Sequence, residues 1–131
     1  MHRSRLSTLV IDCNVEDLGA AGEFWSRALG RPVSAEADPD ANPNYLELAT
    51  SKGEPMLLVQ KVSHPSRIHL DIEADDLEAE AARLEALGAK RVQFVRRWWV
   101  MEAPTGQRFC IVNPQRGPLG SDANQWPSTG G

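Results

Sequence analysis

The sequence predicts an α+β fold assembled from two βαβββ units. LVIDCNVEDLGAAGEFWSRALG at residues 9–30 returns as IHLDIEADDLEAEAARLEALG at residues 68–88, each time an alternating strand running into an amphipathic helix. The two stretches align closely: Asp17-Leu18 recurs 59 positions later as Asp76-Leu77, and both helices close on Leu-Gly, at Leu29-Gly30 and, one residue sooner in the second copy, at Leu87-Gly88. Three short extended segments then follow each helix in the same order. A recurring supersecondary unit of this kind reads as an internal duplication.

In the first strand Ile11, Cys13 and Val15 alternate with Val10, Asp12 and Asn14, which gives one apolar and one polar face. The helix after it ends at a glycine suited to a left-handed cap. Extended segments follow at 31–37 (RPVSAEA), 45–50 (YLELAT) and 55–62 (PMLLVQKV), punctuated by DPDANPN and Ser51-Lys52-Gly53. SHPSR at 63–67 links the halves. The second strand alternates Ile68, Leu70 and Ile72 with His69, Asp71 and Glu73. Its helix carries Leu77, Ala81, Leu84 and Leu87 along one stripe, with Glu78, Glu80, Arg83 and Glu85 as a solvated face and Asp75 or Asp76 as the cap. Strands are then expected at 90–95, 98–102 and 108–113. The predicted organisation is one domain over residues 1–114, with repeat units at 7–62 and 67–113. Residues 115–131, rich in Gly, Pro, Ser and Gln without periodicity, read as a flexible tail in which Trp126 is the residue able to dock.

Fourteen Lys and Arg stand against eighteen Asp and Glu for a net charge of −4, and no basic run exceeds Arg96-Arg97. That balance excludes the electrostatic footprint of a nucleic-acid binder. The apolar stretch near the N-terminus is interrupted by Asp12 and is too short for a signal-peptide core or a membrane span, so a soluble cytoplasmic protein is expected. Cys13 and Cys110 fall in strands without CxxC spacing, which favours reduced, buried thiols, although a bridge between them stays open on sequence alone.

Strand alternation gathers Asp12, Asn14, His69, Asp71 and Glu73 on the polar faces. A histidine beside one or two carboxylates has the composition of a general base, and the competing structural reading is a satisfied core histidine with the aspartates bonded to backbone donors. Trp98 and Trp99 are neighbours on one strand and point to opposite faces, so one ring is expected to reach the ligand side. Tyr45 is placed at the rim. Phe24-Trp25 is expected to pack under the sheet, and Cys110 to act as a small hydrophobe.

Taken in order, NVEDL…FW…LG, HLDIEADDL…LEALGA and WWVMEAPTGQRFCIV resemble the vicinal oxygen chelate superfamily over roughly residues 7–113, and within it the glyoxalase-like domain proteins related to bleomycin-resistance proteins. The resemblance implies that the two units form a half-open, cup-shaped barrel with the helices outside and a ligand in the cup. It also implies where metal-dependent members place their ligands: Val10 and His69 on the first strands, Leu57 and Cys110 on the last, with Gln60 or Glu54 coming nearer if the register at 57 differs, although nothing restores Val10. One imidazole and one thiol do not make a divalent-cation site, so no metal cofactor is expected. The leading expectation is therefore a metal-free cup that binds a small organic molecule through His69, Asp12, Asp71 and one of Trp98 or Trp99, with Asn14, Glu73, Tyr45 and Cys110 as further contacts. Two other readings stay open. One is a metal-independent isomerase, lyase or cyclase that uses His69 with Asp71 or Asp12 as acid and base. The other is a divergent metal-dependent enzyme of glyoxalase or dioxygenase type that uses Cys110. The expected partners are a small molecule and a second copy of the chain, with no nucleic acid and no membrane.

Overall fold

The computed structural model describes residues 1–34 and 43–127. Its elements run β1 (His2–Cys13), α1 (Leu18–Leu29), β2 (Tyr45–Leu48), β3 (Met56–Lys61), β4 (Arg67–Ala74), α2 (Leu77–Ala86), β5 (Lys90–Val95), β6 (Trp98–Glu102), β7 (Arg108–Val112) and β8 (Asn124–Trp126). Among the described residues no helix is long and apolar enough to cross a membrane. The chain gathers into two compact units, Thr8–His69 and residues 1–7 with residue 70 onward.

In the first unit β1 runs parallel to β3, and β2 is antiparallel to β3. The segment predicted as a strand at 31–37 joins β2 as far as it is described: Val33 bridges Leu48, Ser34 N–H donates to Glu47 O at 2.8 Å, and Ala49 N–H donates to Pro32 O at 2.7 Å. Residues 35–37 lie outside the described residues. The second unit repeats this pairing, with β4 parallel to β7, β7 antiparallel to β6, and β6 antiparallel to β5. Each unit buries its own core beneath its helix. Ile11, Cys13, Leu48, Leu57 and Val59 meet Leu18, Ala21 and Trp25 of α1, while Ala74, Ala81, Met101 and Ile111 gather Leu77, Leu84, Trp99 and Phe109 in the other unit.

The duplicated aspartates cap both helices. Asp17 accepts from the Ala20 N–H at 3.1 Å and Asp76 from the Ala79 N–H at 3.0 Å. Each bond satisfies one of the amides that a helix leaves without an internal partner. We expect Asp17→Ala and Asp76→Ala each to cost about 1 kcal/mol, read as a lower midpoint in urea denaturation. At the other end of α1, Gly30 takes the left-handed conformation at φ 67°, as its Leu-Gly ending predicts.

Four local features depart from the sequence reading. β1 begins at His2 rather than near residue 9, and its polar residues His2, Ser4 and Ser7 are buried. Phe24 is 62% exposed while Trp25 packs in the core, because adjacent helical residues point about 100° apart and one stripe cannot take both. Glu80, placed on the solvated face of α2, is wholly buried and holds the Arg83 guanidinium through two 2.8 Å bonds and His2 Nε2 through a third at 2.8 Å. Finally, where the tail composition predicts irregular chain, β8 pairs antiparallel with His2–Ser4. Trp126 docks it, donating from Nε1 to Ser4 Oγ at 2.8 Å beneath the Arg83 guanidinium, 3.8 Å from the ring centroid.

Candidate functional site

In the first unit Ile11 and Cys13 face α1, so alternation turns Thr8, Val10 and Asp12 to the opposite face. Strand register lines up a polar row there, with Tyr45 on β2 opposite Gln60 on β3 and Gln60 opposite Asp12 on β1. Each end of the row is bonded. Gln60 Nε2 donates to the Tyr45 hydroxyl at 3.1 Å, and His69 Nδ1, from the start of β4, lies 2.7 Å from Asp12 Oδ2. An ionised carboxylate only accepts, so Nδ1 carries the hydrogen and Nε2 is the basic nitrogen of the neutral ring.

Asp12 is buried, its side chain only 1% exposed. Its Oδ2 also faces two side chains of the 63–67 linker, the Arg67 guanidinium with Nε at 3.7 Å and the His64 ring with Nε2 at 4.0 Å. Its Oδ1 is equally buried and has no hydrogen-bond partner among the described residues. Leaving a buried acceptor unpaired costs on the order of 1–3 kcal/mol, more for a charged group, and a hydrophobic pair of similar shape would not carry that cost. The same face changes character along the strands: one register step from the row, Val10 stands opposite Leu58, and beyond it Thr8 stands opposite Met56.

Register also identifies counterparts between the units. Asp71 stands opposite Cys110 just as Asp12 stands opposite Gln60, so the first-unit counterpart of Cys110 is Gln60. Leu57, expected there by counting from the turn glycine, is instead buried in the core beneath α1. The correction follows from parity, since residues an odd number apart on one strand face opposite ways.

The other predicted site residues take varied places. Asn14 lies exposed just past β1 and donates its backbone N–H to Ser66 Oγ at 2.9 Å. Asp71 and Cys110 are half-buried, opposite each other in the second unit. Glu73 is wholly buried, with Arg5 Nε at 3.5 Å and the Gln115 N–H donating to its Oε1 at 3.3 Å, so it ties β1 to the chain after β7. Trp99 packs in the helix-side core, edge-on to Phe94 at 5.1 Å with the Arg91 guanidinium 4.9 Å from its centroid; Trp98 therefore takes the opposite face. Both cysteines are free thiols. Burial pushes the Cys13 thiol above its ordinary pKa, and the Asp12 charge adds to that, which makes it a packing residue.

Sequence reasoning reached Gln60 only as an alternative to Leu57, and it missed His64 and Arg67 as neighbours of Asp12. Counting through the repeat does not reach Gln60, because Cys110 follows Asp71 by 39 positions whereas Gln60 follows Asp12 by 48. His64 and Arg67 sit in an irregular linker, where no periodicity tells which way a side chain points. The arrangement presents an oriented imidazole beside a fixed carboxylate, the geometry of a base with its positioning group.

Against known proteins, the model of the glyoxalase-like domain family matches residues 8–112. No curated protein matches the sequence. Among solved structures, methylmalonyl-CoA epimerase from Mycobacterium tuberculosis is similar with a TM-score of 0.60 at 21% identity, over 84% of this chain and 87% of that one. A hypothetical protein from Bacillus halodurans C-125 gives 0.60 at 11% identity, over 89% and 99%. An NAD-dependent benzaldehyde dehydrogenase from Legionella pneumophila gives 0.59 at 11%, over 82% and 98%. Identities this low carry the fold, and the names of these proteins share no one activity. The match and the likenesses bear out the α+β fold and the resemblance to the vicinal oxygen chelate superfamily.

Proposed function

The chain belongs to the glyoxalase-like domain family, and from that premise we propose that it binds a small organic molecule, without a metal, on the polar face formed by Tyr45, Gln60, Asp12 and His69. The observation that carries this reading is the 2.7 Å bond between His69 Nδ1 and the buried Asp12 Oδ2. A polar pair held at the cost of desolvating a carboxylate is weak support for stability and better support for recognition. The donor chemistry of the first strand supports the metal-free part. Val10, where the family pattern asks for a ligand, is a buried aliphatic side chain. Gln60 offers an amide oxygen where Leu57 offers none, but one neutral oxygen beside an aliphatic Val10 is a poor half-site for a divalent cation.

A second reading rests on the same pair. With Asp12 fixing the ring, His69 has the orientation of a general base, so proton transfer on a bound molecule by His69 is the enzymatic form of the proposal. Homodimerisation stays part of the reading and is measured by sedimentation equilibrium.

The deciding experiment is elemental analysis of protein purified without chelator or affinity-tag metal, with thermal-shift screens of divalent ions and of a small-compound library. We expect substoichiometric metal, no stabilisation by Zn, Ni, Co or Mn ions, and at least one organic compound that raises Tm. Its affinity should fall about tenfold or more in His69→Ala with the circular dichroism spectrum unchanged, a loss of roughly 1.4 kcal/mol. About one metal per chain, with its stabilisation lost in His69→Ala or Cys110→Ala, overturns the metal-free reading. Turnover of the bound compound that is abolished in His69→Ala moves the assignment to the enzymatic form.

A further inference from the structure

Resting on that reading, the geometry points to an uncharged hydrogen-bond donor, a hydroxyl or amide N–H on an apolar body, as the chemical group this site recognises. Charge matching around Asp12 carries the inference. The single negative charge of its carboxylate already faces the Arg67 guanidinium at 3.7 Å, the His69 ring at 2.7 Å and the His64 ring at 4.0 Å. A ligand cation would add to the Arg67 guanidinium, whose charge already balances the carboxylate, and would lose its own hydration on entry. A ligand anion would meet the carboxylate itself. Oδ1, buried and without a hydrogen-bond partner among the described residues, still has acceptor capacity, and a neutral donor fills it without disturbing the charge balance.

The apolar body follows from the neighbouring register. Leu58 and Met56, both partly exposed, continue the face away from Gln60 and offer a surface for a hydrocarbon ring or chain. Arg67 is the group able to yield as the ligand seats. It is about half exposed, and its Nε stands beyond hydrogen-bond distance from Oδ2.

Three probes that share one ring and differ in head group test this: benzyl alcohol, benzylammonium and benzoate, titrated calorimetrically into the full chain at about pH 8, where histidines are mostly neutral. We expect benzyl alcohol to bind wild type at least about tenfold tighter than either charged probe. In Asp12→Asn, which keeps the shape but removes the charge, Arg67 is left unmatched, so the order should change and benzoate should gain on the alcohol. Asp12→Glu, which keeps the charge, should retain the preference for the uncharged probe, and both variants are checked for native circular dichroism. Tightest binding of benzylammonium or benzoate to wild type overturns this inference alone and leaves the small-molecule reading standing. An order unchanged by Asp12→Asn also overturns it, because the head group is then read elsewhere. Silence of all three probes up to their solubility limits overturns this inference, while the small-molecule reading stands or falls by the library screen.

Discussion

Replacing Glu80 with Ala is expected to lower the unfolding free energy by about 3–5 kcal/mol, a large share of the roughly 5–15 kcal/mol that holds a domain folded. Glu80 is wholly buried and is the common acceptor for Arg83 Nε and Nη2 and for His2 Nε2, each at 2.8 Å. Its removal strands two partly or fully buried donors, one of them permanently charged, and that uncompensated charge dominates the cost. Arg83 also covers Trp126, so the loss should propagate to β8. Chemical denaturation measures the cost, and hydrogen exchange at residues 2–4 and 124–126 reads the local consequence. The same residue predicts a pH dependence. Burial opposes ionisation of Glu80, but hydrogen bonds from Arg83, His2 and Ser4, together with the Arg83 charge, outweigh it and hold its pKa below the ordinary carboxylate value. With the folded pKa depressed, the stabilisation is present above the unfolded carboxylate value of about 4.3 and is lost as pH falls through the lower folded value. Wild type should therefore show an acid limb that Glu80→Gln lacks in part. Parallel acid limbs in the two proteins would remove Glu80 from the account.

The sequence made the apolar half of this architecture legible and left its polar half hidden, for a physical reason. Periodicity reports burial against a sheet or helix, so β4 to β7, both helices and both Asp caps fall where alternation and repeat place them. It carries no information about a buried polar group whose partners are distant in sequence. The first residues of β1 do not alternate apolar with polar, yet they form a strand because Asn124–Trp126 pairs with it and Glu80 receives His2, 78 positions away. Glu80 looked solvated on the helical wheel for the same reason. At the site, alternation puts His69 and Asp12 on polar faces, and in the structure the two side chains meet at 2.7 Å. That one oxygen of Asp12 holds His69 while the other has no partner among the described residues follows from side chains 57 positions apart in sequence, beyond what either strand pattern encodes. The shift from Leu57 to Gln60 shows where counting from turns fails: a turn's length can vary between repeats, whereas the facing of a strand residue is fixed by the parity of the pleat.

The second large effect is expected from Met101→Ala, in the core of the second unit. Met101 is fully buried on β6, and its neighbours in that cluster include Ala74 on β4, Ala81 on α2 and Ile111 on β7, each also fully buried. Truncation removes the transfer free energy of the side chain and leaves a cavity, together about 2–5 kcal/mol for a change of this kind. How far the cavity collapses sets the position within that range. Two of the fully buried members of that cluster are alanines, whose single methyl groups have no rotamer by which to move into the space, and Ile111 is β-branched on a strand paired on both sides, to β4 and β6. Little relaxation is available, so the cost should fall in the upper half of the range. Met101→Leu, which nearly conserves volume, should cost less than about 1.5 kcal/mol. Urea denaturation of the two variants checks the pair. A Met101→Ala cost no greater than that of Met101→Leu would mean that the partly buried Trp99 or Phe109, which pack against the same cluster, move in to fill the space.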